Sequence, residues 1–208
     1  MIKKLPLIEL KVDPENNSFV SAIALCENPA IESNFIAFNA LEATKYTFSD
    51  EKMELLGYAM LPNTPIYRKD AQLGEYAVTF SAETIREIAQ IFAKKGLNNS
   101  LNVEHTSENA GSYVFQSYIV DTEKGISAPK GLESINGAWV IGVKVESKTM
   151  WDAVKSGKAQ GFSVEGIFDL IQTDKIVDFN FNKEENLLIK ALADLSSHLD
   201  VLIEKHQL

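Results

Sequence analysis

The chain has 208 residues, with 20 Lys and Arg against 29 Asp and Glu, 45% apolar residues and a single cysteine. That is enough chain and apolar material for one ordinary domain with a hydrophobic core and a short appendage, which excludes wholesale disorder. A formal charge of −9 and only two arginines, Arg68 and Arg86, argue against nucleic acid as a partner, because phosphate binding needs a basic face.

Most of the chain reads as strands. The N-terminal MIKKLPLIELKV is interrupted by Glu9 and Lys11, so it is expected to be a strand rather than a secretory signal. Leu5–Val12 and Ser18–Cys26 are apolar and β-branched, separated by the turn-forming Asp13-Pro14-Glu15-Asn16-Asn17. Short extended pieces follow at Phe35–Phe38, Lys45–Phe48 and Leu55–Leu61. After the Pro62-Asn63-Thr64-Pro65 turn, Ile66–Arg68 and Tyr76–Phe80 are extended again.

The pattern then changes to a helix over Ala82–Lys95. Ser81 is placed to cap it, Ile85, Ile88 and Phe92 share one face, and Lys94-Lys95-Gly96 forms its end. Leu101–His105 and Tyr113–Val120 return to strand. Residues 121–137, rich in Gly, Ser, Lys and Glu, are expected to be a mobile surface loop. Ala138–Glu146 is strand-like, Ser147 caps a short helix through Val154 that ends at Gly157, and Gly161–Ile171 is a further strand. The fold class is therefore α+β, dominated by strands.

The last stretch differs in kind. Asn182 and Glu185 have the spacing of a capping box. Leu188, Leu192, Leu195, Leu199 and Leu202 then follow at 4-3-4-3 spacing, the seam of a coiled coil. The expected organisation is a β-rich domain over residues 1–181 and a leucine-seamed helix over 182–208. This helix either packs on its own domain or mediates self-association or attachment to a helical partner. No segment has the length and apolarity of a membrane span, so the expectation is a soluble, intracellular protein with no membrane partner.

Few residues are suited to chemistry. Cys26 has no internal disulfide partner and reads as a small buried hydrophobe rather than a thiol nucleophile. With no Cys/His cluster and one histidine outside the tail, neither a metal site nor a cofactor is expected. His198 and His206 fall on the charged tail helix, which leaves His105 as the sole imidazole base of the globular part. The nucleophile candidate is Ser163 in Gly161-Phe162-Ser163-Val164-Glu165-Gly166. It is not the nucleophile elbow of α/β-hydrolases, since position 165 is Glu and the chain continues as a strand. A serine on such a strand acts only if a histidine reaches its Oγ as general base. Trp139 and Trp151 read as core.

Several segments together resemble the phage prohead (capsid-maturation) serine proteases, in particular their XkdF-like branch. They are Ala22-Ile23-Ala24-Leu25-Cys26-Glu27-Asn28-Pro29-Ala30-Ile31, Leu56-Gly57-Tyr58-Ala59-Met60-Leu61-Pro62, Ile66-Tyr67-Arg68, Asn102-Val103-Glu104-His105, Gly137-Ala138-Trp139 and Gly161-Phe162-Ser163-Val164-Glu165-Gly166. The resemblance implies a mostly antiparallel, barrel-like sheet with flanking helices, similar to herpesvirus assemblin. It also implies a serine nucleophile preceded in the chain by its histidine, an order that fits His105 and Ser163.

The third catalytic member departs from the family pattern. The acid expected before a Pro-Ala step falls, counting back from Pro29, on Ala22, which cannot orient an imidazole. Glu165 shares a strand face with Ser163 and is the preferred alternative. Asp169, Glu104 (which should face away from His105), a water and a backbone carbonyl stay open, as do the oxyanion-hole donors. Arg68 resembles a family position and reads as a structural ion-pair partner.

The function implied is an endopeptidase of the host cytoplasm, acting inside the assembling procapsid on scaffold and major capsid protein, with the tail as an association element. The alternative is a catalytically inactive virion assembly protein of the same fold.

Overall fold

The computed structural model describes residues 2–27, 36–37 and 52–180; the expected strand Lys45–Phe48, the Pro29-Ala30 step and the leucine-seamed segment lie outside them. In chain order the strands are β1 (Ile2–Lys11), β2 (Val20–Cys26), β3 (Ile36–Ala37), β4 (Glu54–Met60), β5 (Ile66–Asp70), β6 (Gly74–Thr79), β7 (Leu101–Val103), β8 (Ser112–Ile119), β9 (Trp139–Val145), β10 (Gly161–Gly166) and β11 (Asp169–Asn180). Helix α1 (Ala82–Lys94) lies between β6 and β7, and α2 (Lys148–Lys155) between β9 and β10.

The strands form three ladders, ordered β11-β1-β6-β5, β10-β2-β7 and β3-β4-β9-β8. Pairing is antiparallel except for β1 with β6 and β2 with β7. The expectation of a barrel-like sheet is corrected here: among the described residues no ladder closes, and β10 runs near β4 without pairing with it. The unpaired approach of β10 and β4 leaves room for a cleft between two sheets.

Local sequence accounts for these elements. In β1 the buried residues are Leu5, Ile8 and Leu10. The three-residue step from Leu5 to Ile8 breaks the alternation where the register with β11 shifts between Pro6 and Ile8, and proline without an N–H suits such an irregularity. β9 is apolar almost throughout because it lies inside its sheet with both faces covered. Ser81 caps α1 by accepting from Thr84 N at 3.2 Å, and its buried face is Ile85, Ile88 and Phe92. Phe92 meets Trp139 edge-on with ring centroids 5.4 Å apart. Ser147 caps α2 through Met150 N at 3.2 Å, and Trp151 is buried as expected.

Two further expectations are corrected. Residues 121–137 are tied down rather than free. Thr122 N donates to Asn136 Oδ1 at 2.9 Å, Ala128 N to Ser134 Oγ at 3.0 Å, and the Tyr58 hydroxyl to the Glu133 carbonyl. Ala128, Leu132 and Ile135 pack on a small second core of Tyr58, Val120, Ala138 and Val140. The single strand expected over Gly161–Ile171 is instead two strands in different sheets. The register shifts between Glu165 and Gly166, Ile167 N donates to Phe19 O at 3.2 Å, and the chain crosses to β11. A Cβ on Gly166 would lie 2.5 Å from Phe19 O and 2.8 Å from Val20 Cα, so only glycine permits this crossing.

Candidate active site

β10 turns Ser163 and Glu165 to one face and Phe162 into the core. Opposite Ser163 and Glu165 on β2 stand Ala24 and Ala22, and on the far side of β2 the partner of Ala24 is Asn102 of β7. Ser163, Ala24 and Asn102 therefore form a row across the sheet, with the alanine keeping its middle low. This leaves space above β2 for longer side chains from the flanking strands to meet.

His105 comes from the turn after β7. Sequence alternation extends that strand to His105, but it ends at Val103 because Glu104 and His105 both adopt left-handed backbone, φ 50 and 56. For residues with a Cβ this conformation costs about 1–2 kcal/mol each. The turn is held by Val103 N donating to Glu108 O at 3.0 Å, Thr106 Oγ1 to Val103 O at 2.7 Å and Glu108 N to Thr106 Oγ1 at 3.2 Å. It sends Glu104 away, as expected: its carboxylate accepts from Glu27 N at 2.7 Å.

The reversal also brings His105 Nδ1 within 3.4 Å of Glu165 Oε2. The contact fits the imidazole tautomer with its proton on Nδ1, which leaves the unshared pair on Nε2. The same Oε2 accepts from Asn102 Nδ2 at 2.9 Å. Asn102 Oδ1 is buried with no hydrogen-bond partner among the described residues. Such an orphan acceptor costs about 1–3 kcal/mol.

Ser163, His105 and Glu165 line one cleft of ≈ 470 Å³. Its other wall is apolar, with Met60, Leu61, Ile66, Phe80 and Phe168, the last two in edge contact at 5.0 Å between centroids. Ser163 is 7% exposed, and its hydroxyl makes no hydrogen bond to His105 or to any other described residue. None of residues 121–137 lines the cleft.

Other residues singled out by the sequence fall elsewhere. Asp169 is exposed at the start of β11, opposite Lys11. Arg68 lines the cleft, but the ion pair expected for it is absent: it has no carboxylate partner among the described residues, and Nη1 donates to Tyr67 O at 2.9 Å. Loss of water around the guanidinium lowers its pKa, partly offset by Tyr76. Cys26 is buried, and its thiol is pushed up to about 12 by burial and then by the nearby Glu104 charge. Among the described residues no three His, Cys, Asp or Glu side chains gather as a metal site would require, and no helix is long and apolar enough to cross a membrane.

Nothing in the Asn102-Val103-Glu104-His105 segment assigns Asn102 a role by sequence alone. Its available cue is an asparagine, a poor strand former, inside a strand three residues before the only histidine among the described residues.

A protein-family model described as "Putative phage serine protease XkdF" matches residues 47–172. No curated protein and no solved structure matches the chain.

Proposed function

Since the chain belongs to the XkdF family of phage serine proteases, we propose that it is a prohead endopeptidase that cleaves scaffold and capsid protein through Ser163, His105 and Glu165. The observation that carries this reading is the convergence of the three side chains on one cleft, with Glu165 against His105 Nδ1 at 3.4 Å.

On this reading Ser163 Oγ attacks the scissile carbonyl carbon while its proton passes to His105 Nε2. Glu165 holds Nδ1–H and stabilises the imidazolium. Collapse of the tetrahedral intermediate breaks the C–N bond, and Nε2 returns the proton to the departing amine. Water then attacks the acyl-serine ester, giving its proton to the same nitrogen, and the serine is regenerated. The missing Ser163–His105 hydrogen bond is compatible with this sequence, because catalytic hydrogen bonds commonly tighten only when substrate is bound. The apolar wall beside Ser163 receives a substrate side chain, and residues 182–208 bind scaffold or a second copy.

The test is co-expression with scaffold and capsid protein. Wild type should process them and Ser163→Ala should not. Equal processing by both, or processing by neither with an intact fold, overturns the protease reading in favour of a non-catalytic assembly protein.

A further inference from the structure

We propose that Asn102 is a positioning residue of this site: its amide fixes the Glu165 carboxylate that in turn orients His105. The inference rests on the protease reading above and adds to it a fourth side chain.

Three observations meet on Asn102. Its Nδ2 donates to Glu165 Oε2 at 2.9 Å, the oxygen that faces His105 Nδ1 at 3.4 Å. Glu165 stands on β10 and Asn102 on β7, with β2 between them, so the contact spans the sheet above Ala22 and Ala24. And Asn102 Oδ1 is buried without a partner among the described residues. A carboxylate accepts only, so the amide must present its nitrogen, and its oxygen is turned to where nothing donates. A leucine of similar size would fill the space with no polar atom to satisfy, so packing does not explain an asparagine there. The donated hydrogen bond does.

The consequence for the site is geometric. Glu165 is half-exposed, on a side chain with three rotatable bonds, and a carboxylate free to rotate would hold the imidazole poorly. Asn102 pins it from β7, across β2. The other charged group lining the cleft is Arg68 from β5, while the Glu104 carboxylate is engaged at Glu27 N. The amide of Asn102 is thus the hydrogen-bond donor that the described residues supply to the Glu165 carboxylate besides His105.

The test measures the second-order rate at which a fluorophosphonate labels Ser163, the site being mapped by mass spectrometry, from pH 5 to 9 as a range about the usual histidine value. In that reaction an Oγ–P bond forms, fluoride leaves and the hydroxyl proton passes to His105. Asn102→Leu should slow labelling about tenfold or more across the range, the effect of one charge-assisted hydrogen bond, without lowering the unfolding midpoint. Asn102→Asp is the sharper probe. While its new carboxyl is protonated, the O–H replaces the amide donor. Once ionised, it repels Glu165. Its rate relative to wild type should be highest in acid and fall as pH rises, which a purely structural role would not produce. Wild-type labelling rates in both variants, or a pH-independent ratio for Asn102→Asp, overturn the inference and leave the protease reading standing. Failure of the wild type to label at Ser163 overturns both.

Discussion

Cys26 closes β2 with its sulfur 3.8 Å from the Gly161 carbonyl and 2% exposed. Its pKa of about 12 against 9.0 for a free thiol makes it a poor nucleophile and a pH-dependent stabiliser. The sign follows from proton binding. Below pH 9 both folded and unfolded chains keep the thiol protonated, and its contribution is fully present. Between about 9 and 12 only the unfolded chain loses the proton, so stability falls with rising pH. Chemical unfolding of Cys26→Ala at pH 8 and pH 10.5 should show a shallower alkaline loss than wild type, and native Cys26 should resist iodoacetamide until the protein is unfolded. The three residues of the proposed site are legible one by one: Ser163 from its strand, His105 by elimination among three histidines, Glu165 from the two-residue period it shares with Ser163. What joins them is not. The left-handed pair at Glu104 and His105 has no glycine or asparagine to announce it, and the reach of Asn102 over β2 depends on register between strands more than 60 residues apart in the chain.

At the scale of elements, the decisive joint is the crossing from β10 to β11. Gly166 passes so close to β2 that any side chain collides with backbone rather than with a movable side chain. Gly166→Ala should therefore cost about 1–3 kcal/mol in urea unfolding, and slow Ser163 labelling as well, because Glu165 is the preceding residue. A loss of stability with unchanged labelling would show that the joint and the site are independent. Sequence periodicity located both caps, Ser81 and Ser147, and the buried face of α1, since these depend on neighbours within one turn. It ran Gly161–Ile171 together as one strand because a change of sheet leaves the two-residue period almost undisturbed. Periodicity does not show that 121–137 is tied down, because the segment is held by short-range backbone turns and by single polar side chains at irregular spacing.

For the whole molecule, the strand-rich α+β class was readable from composition and period, whereas the number of sheets was not: closure or opening is decided by which strand edges meet. The tail supplies the last test. If residues 182–208 are an association element, deleting them should leave the unfolding midpoint of the β-rich domain unchanged and convert an oligomer to a monomer by light scattering, with loss of packaging into procapsids. A lowered midpoint with no change in mass would instead mean that the segment packs on its own domain.

The ladder β10-β2-β7 also carries a timetable. β2 comes early in the chain, its parallel partner β7 much later, and β10 later still. Non-local pairings of this kind form slowly, and synthesis delivers the chain from its N-terminus. The histidine turn can dock on β2 before the serine exists. The hydroxyl arrives on the last strand of that sheet, next to a carboxylate that comes with it. On the proposed assignment, a chain still being made thus holds a base without a nucleophile, and the geometry for cleavage is completed only when nearly the entire domain is available to fold around it.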